Sequence, residues 1–147
     1  GDEGPVILGS RSTIWYDSLD VMGWEVNQQG LKVLFSRDIP TIVSEWVLPS
    51  LLEFVGENGI TLKDLTHLIA HPGGTKVLEA YKQTLGLNDG QLDRARDVLT
   101  RFGNMSSPTV LFVLKEFMEA QAVRPGEYGL VTALGPGFSS EMLLIQG

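Results

Sequence analysis

The chain has 147 residues and a mass of 16.1 kDa, which is the size of one domain with one hydrophobic core. Apolar residues make up 43% and charged residues 20%, with a mean hydropathy of +0.08, and this composition excludes a disordered or collagen-like chain. Eighteen acidic against eleven basic residues give a net charge of −7, so we expect neither nucleic acid nor a membrane as a partner.

The chain begins with Gly1-Asp2-Glu3-Gly4 and has no initiator methionine. This start does not resemble a signal peptide, and no apolar run approaches the roughly 18–20 residues of a membrane span. An apolar run begins directly after Pro5. We therefore expect a fragment of a longer protein rather than a complete gene product, with one domain over residues 1–147.

Period-two patterning in the first quarter of the chain predicts β-strands. Val6 and Leu8 share one alternation, and apolar residues alternate again between residues 20 and 36. Gly30 follows Asn27-Gln28-Gln29 and is a turn signal. These patterns predict a first strand and then a β-hairpin over residues 20–36.

From Ile39 to Phe54 the apolar residues recur at helical spacing. Asp38 is a candidate N-cap, and Pro40 lies in the first turn, where proline is tolerated. Pro49 lies inside the helical run, where it removes a backbone N–H donor and clashes with the preceding turn. We expect one helix with a kink at Pro49 rather than two separate helices.

The second half of the chain predicts strands and helices in alternation. The short apolar run 67–70 predicts a buried strand, and a helix follows that ends at Gly86. The next helix opens at residue 88 or 89, buries Phe102 and ends at Gly103. A helix capped by Ser106-Ser107 begins at Pro108 and is apolar almost all round, which predicts burial between two layers.

Residues 128–134 and 140–145 predict a pair of strands around Gly135-Pro136-Gly137. The order of elements therefore predicts an α/β domain that has a mixed β-sheet with helices on both faces.

A few residues are candidates for chemistry. His71 follows the strand at 67–70, at the carboxyl end where reactive groups of open α/β sheets gather, although spacing alone favours a hydrogen-bonded loop histidine. Gly73-Gly74 could admit an anion at a helix N-terminus or only make the turn. Asn104 is typical of a turn residue, and its amide could also donate into a site.

We expect no metal site, because His67 and His71 flank a strand and no other ligand cluster accompanies them. The chain contains no cysteine, so it has no disulfide, thiolate metal site or cysteine nucleophile, and a reducing cytoplasm is permitted.

Several segments together resemble the C-terminal half of the type III polyketide synthases, the chalcone and stilbene synthase-like family of the thiolase superfamily. The stretch from Gly30-Leu31 to Asp38-Ile39-Pro40 looks like the family's Gly-Leu…Asp-Val-Pro segment. Three further motifs occur in the family's order: Ile69-Ala70-His71-Pro72-Gly73-Gly74, Gly103-Asn104-Met105-Ser106-Ser107 and Leu134-Gly135-Pro136-Gly137.

The resemblance covers essentially the whole chain and implies a thiolase-like half. It also implies a decarboxylative condensation of an acyl-CoA starter with malonyl-CoA, with CoA thioesters as substrates and no cofactor. His71 and Asn104 match the family's catalytic histidine and asparagine. The family's cysteine nucleophile lies in an N-terminal half that is absent from this chain. The resemblance further implies a homodimeric parent enzyme in the cytoplasm, with that N-terminal half as a partner.

The resemblance also suggests which residues bind the substrate. Val33 stands where the plant members have a phenylalanine that gates their pocket, and this change leaves room for a long fatty acyl chain. Nearby Trp24 could offset the change. Ala133-Leu134 replaces the plant Gly-Phe. The expected substrate-binding residues are Trp24, Val33, Gly73, Gly74, Ser106, Gly135, Pro136 and Gly137.

Two alternatives remain open from the sequence. One is a ketoacyl-carrier-protein synthase III-like domain, although Pro72-Gly73-Gly74 after His71 favours the polyketide synthases. The other is a non-catalytic thiolase-like module that binds an acyl-CoA or a partner protein. An in-frame upstream half of roughly two hundred residues with a cysteine would favour the enzyme, and a stop codon there would favour the module.

Overall fold

The central feature of the computed structural model is a four-stranded sheet. The structure describes residues 4–147. Residues 1–3 lie outside the described residues, and they include most of the start for which no signal peptide is expected. The sheet contains strands β1 (Val6–Ile14), β4 (Leu65–Ala70), β5 (Tyr128–Gly135) and β6 (Ser139–Gln146) in the order β1-β6-β5-β4. β6 is antiparallel to both β1 and β5, and β5 is parallel to β4, so the predicted mixed sheet is confirmed.

A separate hairpin of β2 (Met22–Asn27) and β3 (Gly30–Phe35) confirms the hairpin prediction. Trp24 pairs with Val33, and the neighbouring apolar pairs share the same face because side chains alternate along a strand. Gly30 has φ = 117°, a backbone conformation that favours glycine.

The helical stretch that follows is continuous, as predicted, but its irregularity comes before Pro49. Helix α1 (Ile39–Ile42) leads through a π-helical turn (Val43–Val47) into helix α2 (Leu48–Glu57). Leu48 N–H donates to the carbonyl of Val43, five residues back. A wider turn of this kind gives room for a proline ring, which would otherwise clash with the carbonyl four residues earlier.

Asp38 is the N-cap residue of α1, as predicted, but its side chain does not cap the helix. Its carboxylate makes no capping hydrogen bond, and its backbone carbonyl instead accepts the N–H of Ile42.

The stretch Ile39–Glu57 has a mean hydropathy of 1.2 and is long and apolar enough, by length and composition, to cross a membrane. The sequence pattern does not predict such a segment. Val43, Val47, Leu51 and Phe54 on this stretch are buried in the core of the domain, as in a core helix of a globular protein.

Helices α3 (Thr75–Leu85), α4 (Asp93–Phe102) and α5 (Pro108–Glu119) complete the fold. Helix α3 ends as predicted at Gly86, which has a left-handed φ of 61°. Helix α4 begins later than predicted, because Asn88 N–H donates to the side chain of Gln91 in a turn that precedes the helix. Phe102, which was expected to be buried, is exposed.

The expectations for α5 need two corrections. Leu111 is 61% exposed, and Phe112 beside it is also exposed, because the described residues cover α5 only on the side of the sheet. Ser107 does not cap the helix with its side chain, since its backbone is already helical. The Thr109 hydroxyl instead accepts the N–H of Met105.

Helices cover both faces of the sheet, as predicted. Tyr81 of α3 lies with its hydroxyl 3.3 Å from that of Thr132, the neighbour of Ala70 in the parallel register. The His67 ring lies 5.8 Å from the Phe117 ring of α5. His67 and Ala70 are three residues apart on one strand, so they point to opposite faces, and α3 and α5 therefore pack on opposite sides.

Candidate active site

A pocket of about 460 Å³ lies at the carboxyl end of β4. Its walls come from the hairpin, the loop after β4, helix α3, the loop before α5, and the ends of β5 and β6 with the turn between them. The lining is mainly apolar. It comprises Met22, Gly23, Trp24, Val33, Phe35, His71, Gly73, Val77, Asn104, Ser106, Ser107, Ala133, Leu134, Gly135, Pro136, Ser139 and Glu141.

His71 enters this pocket from the first residue after β4. Its backbone N–H donates to the carbonyl of Thr132 at 2.8 Å, so the sheet fixes its position. The side chain is half-buried, and Nδ1 is buried without a hydrogen-bond partner among residues 4–147. Burial lowers the pKa of His71 below its ordinary value of 6.5, so the imidazole is neutral at pH 7 and offers one N–H donor.

Gly73 and Gly74, which follow His71-Pro72, differ in their position relative to the pocket. Gly73 lines the pocket, and a Cβ added there would lie 3.6 Å from the His71 ring, which is ordinary contact. Gly74 does not line the pocket and precedes α3, where its carbonyl accepts the N–H of Val77. Its φ of 167° is extended backbone, and no atom lies within 4 Å of an added Cβ. The geometry therefore places only one of them at the proposed site.

Asn104 joins the loop before α5 to the loop of His71. Its Nδ2 donates to the carbonyl of Gly73 at 3.0 Å, and its Oδ1 accepts the N–H of Ser106 at 2.8 Å. The side-chain amide carries two hydrogens, so one remains for a ligand after the bond to Gly73. Two loops that are about thirty residues apart in sequence thus bring an imidazole and an amide to one pocket.

The hairpin supplies the apolar wall. Trp24 and Val33 are a cross-strand pair, each 54% exposed, and both line the pocket as expected from the resemblance. Met22 and Phe35 are the next pair on the same face and also line it, although neither was among the expected substrate-binding residues. The alternation in the sequence was a sufficient signal for both.

The β5–β6 turn closes another side. Gly135 and Pro136 line the pocket, whereas Gly137, with φ = 127°, does not. Ser139 and Glu141 point to the pocket from β6 and were not expected there. The Glu141 carboxylate accepts a hydrogen bond from the hydroxyl of Ser12 on β1.

The second histidine lies away from this site. His67 Nε2 is 2.8 Å from a carboxylate oxygen of Glu127, and its ring packs on Phe117 of α5. His67 does not line the pocket. Within residues 4–147, no group of three or more His, Cys, Asp or Glu side chains is placed to hold a metal ion.

Comparisons with known proteins agree with this fold. The model of the family "Chalcone and stilbene synthases, C-terminal domain" matches residues 8–147. A protein of Bacillus subtilis (strain 168) named "Putative chalcone synthase" is 44% identical over 140 residues, which are 95% of this chain and 38% of that protein. The 1,3,6,8-tetrahydroxynaphthalene synthase of Streptomyces peucetius subsp. caesius is 34% identical over 142 residues, which are 97% of this chain and 38% of that enzyme.

A solved structure gives the same fold. The crystal structure of PKS-I from the brown alga Ectocarpus siliculosus superposes with a TM-score of 0.85 at 24% identity, covering 97% of this chain and 39% of that one. The chain thus spans less than two fifths of the length of these relatives.

Proposed function

Because the chain belongs to the chalcone and stilbene synthase C-terminal domain family, we propose that it is the C-terminal domain of a type III polyketide synthase. Such an enzyme condenses an acyl-CoA starter with malonyl-CoA and is an acyltransferase. The observation that carries the proposal is the presence of His71 and Asn104, from two separate loops, in one mainly apolar pocket. The proposal includes CoA thioesters as the only small molecules required, a cytoplasmic location and a homodimeric parent.

The two side chains suit the decarboxylation of malonyl-CoA. Loss of CO₂ leaves its electron pair on the thioester as an enolate, whose negative charge gathers on the carbonyl oxygen. A neutral His71 and Asn104 each have an N–H that can donate to this oxygen, and one such donor typically contributes about 3–4 kcal/mol to the transition state. Both groups stabilise the oxygen through hydrogen bonds and keep their protons. The asparagine has no acidic proton, and the imidazole acts as a hydrogen-bond donor.

The enolate carbon then attacks the carbonyl carbon of an enzyme-bound acyl thioester, and the bond to sulfur breaks to release a thiolate. This chain has no cysteine to carry that acyl group. We propose that an N-terminal half of the same enzyme supplies the cysteine. Neutral His71 would accept the proton of that thiol, which favours the thiolate form, and would return it to the departing CoA thiolate when the starter acyl group is loaded.

Two features of the surface support a missing half. Asn104 is exposed and the pocket is open on one side, whereas donors of this kind are most effective where water is excluded. Leu111 and Phe112 on α5 present exposed apolar surface of the kind that a partner domain covers.

The apolar wall suggests a starter. Val33 leaves the space that a phenylalanine would fill, and the apolar face of the hairpin continues past Trp24 and Val33 to the exposed pair Val26 and Leu31. A long or medium acyl chain could lie along this face and remove its methylenes from water. We therefore propose an acyl-CoA of this class as the preferred starter rather than an aromatic one.

The test uses the full-length protein that contains this chain, with malonyl-CoA and an acyl-CoA starter, and detects the product by mass spectrometry. His71→Ala should slow decarboxylation by about 10²–10³-fold because one donor is lost. His67→Ala is the matched control, since it removes a histidine four residues earlier that does not line the pocket. Near-normal turnover in His71→Ala would assign this histidine to loop structure. A stop codon directly upstream of this chain would favour the non-catalytic binding module.

A further inference from the structure

Ser18 lies between β1 and β2, does not line the pocket and is completely buried, with 0% exposure. Its hydroxyl donates to the carbonyl of Trp15 at 2.5 Å and accepts the backbone N–H of Phe138 at 2.6 Å. Its own carbonyl accepts the N–H of Val21 at 3.1 Å. One small residue thus makes hydrogen bonds to three segments of the chain.

The bond to Phe138 fixes the back of the β5–β6 turn. Phe138 follows Gly135-Pro136-Gly137, and its carbonyl accepts the N–H of Trp15 at 2.9 Å. Its fully buried ring stacks on the Trp15 ring at 5.4 Å and lies 6.2 Å from the Trp46 ring. Both backbone groups and the ring of Phe138 are therefore held, while Gly135 and Pro136 in front of it face the pocket.

The bond to Val21 fixes the base of the hairpin. Val21 is buried, and its own carbonyl accepts the N–H of Ser36 at 2.8 Å, beyond the end of β3. Met22 and Gly23, which follow directly, line the pocket. Ser18 is therefore connected to the hairpin wall through its backbone and to the turn wall through its hydroxyl.

We propose that Ser18 is a positioning residue that sets the distance between these two walls and thereby the binding of the acyl starter. Without its hydroxyl, the buried N–H of Phe138 and the carbonyl of Trp15 lose their partner, and the turn can shift relative to the hairpin. A displacement of about 1 Å in a binding site can reduce activity by about 10²-fold even when no catalytic group is touched. His71 and Asn104 are anchored elsewhere, by Thr132 and Gly73.

The experiment compares Ser18→Ala with Ser140→Ala in the full-length protein. Ser140 is a matched control because it is also a buried serine, two residues after Phe138, but its hydroxyl has no hydrogen-bond partner among the described residues. Two readouts are used. The first is amide hydrogen exchange of the peptide spanning residues 134–139, and the second is steady-state kinetics with acyl-CoA starters of several lengths.

For Ser18→Ala we expect faster exchange in the 134–139 peptide and a KM for the starter that rises about tenfold, with a changed order of preference among chain lengths. Malonyl-CoA decarboxylation without a starter should fall less than the kcat/KM for the starter. Ser140→Ala should match the wild type in both readouts. Ser18→Cys should lie between Ser18→Ala and the wild type in both readouts, because a thiol is a weak hydrogen-bond donor and acceptor.

A merely structural serine would give a lower melting temperature with unchanged exchange, KM and chain-length preference, and this result would overturn the proposal. If Ser18→Ala does not yield folded protein, the same two readouts are measured on Ser18→Cys. Unchanged exchange, KM and chain-length preference in that variant would also overturn the proposal. The kinetic readout rests on the proposed function, whereas the exchange readout does not. A wild-type protein without activity would therefore count against the proposed function, and the exchange of the 134–139 peptide would still decide on Ser18.

Discussion

Asn104 provides the sharpest test of the proposed site, because its two side-chain atoms have different partners. Oδ1 accepts the N–H of Ser106 and Nδ2 donates to Gly73. Asn104→Ala removes both bonds. Asn104→Asp keeps an acceptor for Ser106, but it replaces the amide donor by a carboxylate oxygen. The two variants therefore separate a role in the turn from a role as a donor to the enolate.

The expected magnitudes differ enough to be measured. Loss of a donor to a developing oxyanion reduces the chemical step by about 10²–10³-fold, or about 2.7–4 kcal/mol. Loss of the two loop hydrogen bonds reduces the free energy of unfolding by about 0.5–1.5 kcal/mol each. In Asn104→Asp, a negative charge also lies where the enolate oxygen forms. This variant should be at least as slow as Asn104→Ala, although its loop is better preserved.

The assay is the rate of CO₂ loss from malonyl-CoA by the full-length protein, with the free energy of unfolding measured in parallel. Asn58→Ala is the matched control, because Asn58 Nδ2 donates to the carbonyl of Phe54 at 2.9 Å, away from the pocket. It should lose stability and keep its activity. If Asn104→Asp is faster than Asn104→Ala and approaches the wild type, Asn104 is a turn residue and the proposed donor role is refuted.

Three other predictions follow from the same features. Pure chain 1–147 should form no condensation product from malonyl-CoA and any acyl-CoA, because it has no cysteine; product detected by mass spectrometry would contradict this. Val33→Phe should shift the preference in kcat/KM from long acyl-CoA starters towards shorter or cinnamoyl-type ones, because each buried methylene contributes about 0.8 kcal/mol. Val33 does not shape the pocket if the wild type prefers a cinnamoyl-type starter, or if the chain-length profile of the variant is unchanged. Burial lowers the pKa of His71 in the folded chain, so the unfolded chain binds more protons as the pH falls below about 6.5. The wild type should therefore lose more free energy of unfolding than His71→Gln between pH 7 and about pH 5. Urea unfolding at both pH values would disprove this if the two proteins lose the same amount.

Local signals predicted the fold well where several agreed. The hairpin combined strict alternation with a glycine turn, and α3 combined a helical stripe with Gly86 at its end. Asp38 and Ser107 hold the predicted N-cap positions, but neither side chain caps its helix, because a capping residue must have a non-helical backbone and a side chain that reaches the first N–H groups. Residue type alone fixes neither condition. The Thr109 hydroxyl instead accepts the N–H of Met105 and so connects α5 to the loop before it.

The burial of α5 was predicted from its apolar composition and was wrong for this chain. Leu111 and Phe112 are exposed on the side away from the sheet. An apolar pattern indicates which surfaces avoid water, but it does not say which other part of a protein covers them. On the proposed function, that part is the N-terminal half.

The site could be predicted only in part. His71 and Asn104 were identified through the family resemblance, since spacing alone favoured a loop histidine and a turn asparagine. The pocket itself depends on the hairpin, which forms a separate two-stranded sheet and lines the pocket at the carboxyl end of β4. No local signal contains this placement, because it is set by long-range contacts such as that between Ser18 and Phe138.

The construction of the pocket separates chemistry from specificity. The polar groups are held by the sheet and by each other, through the bonds of His71 to Thr132 and of Asn104 to Gly73. The apolar wall belongs to the hairpin, which is joined to the rest of the site through the segment around Ser18. Substitutions such as those at Val33 can therefore change the shape of the pocket without displacing the two donors. Because the hairpin is outside the four-stranded sheet, its wall can vary in volume at little cost to the core. On the proposed function, one pair of donors would then serve starters of different lengths.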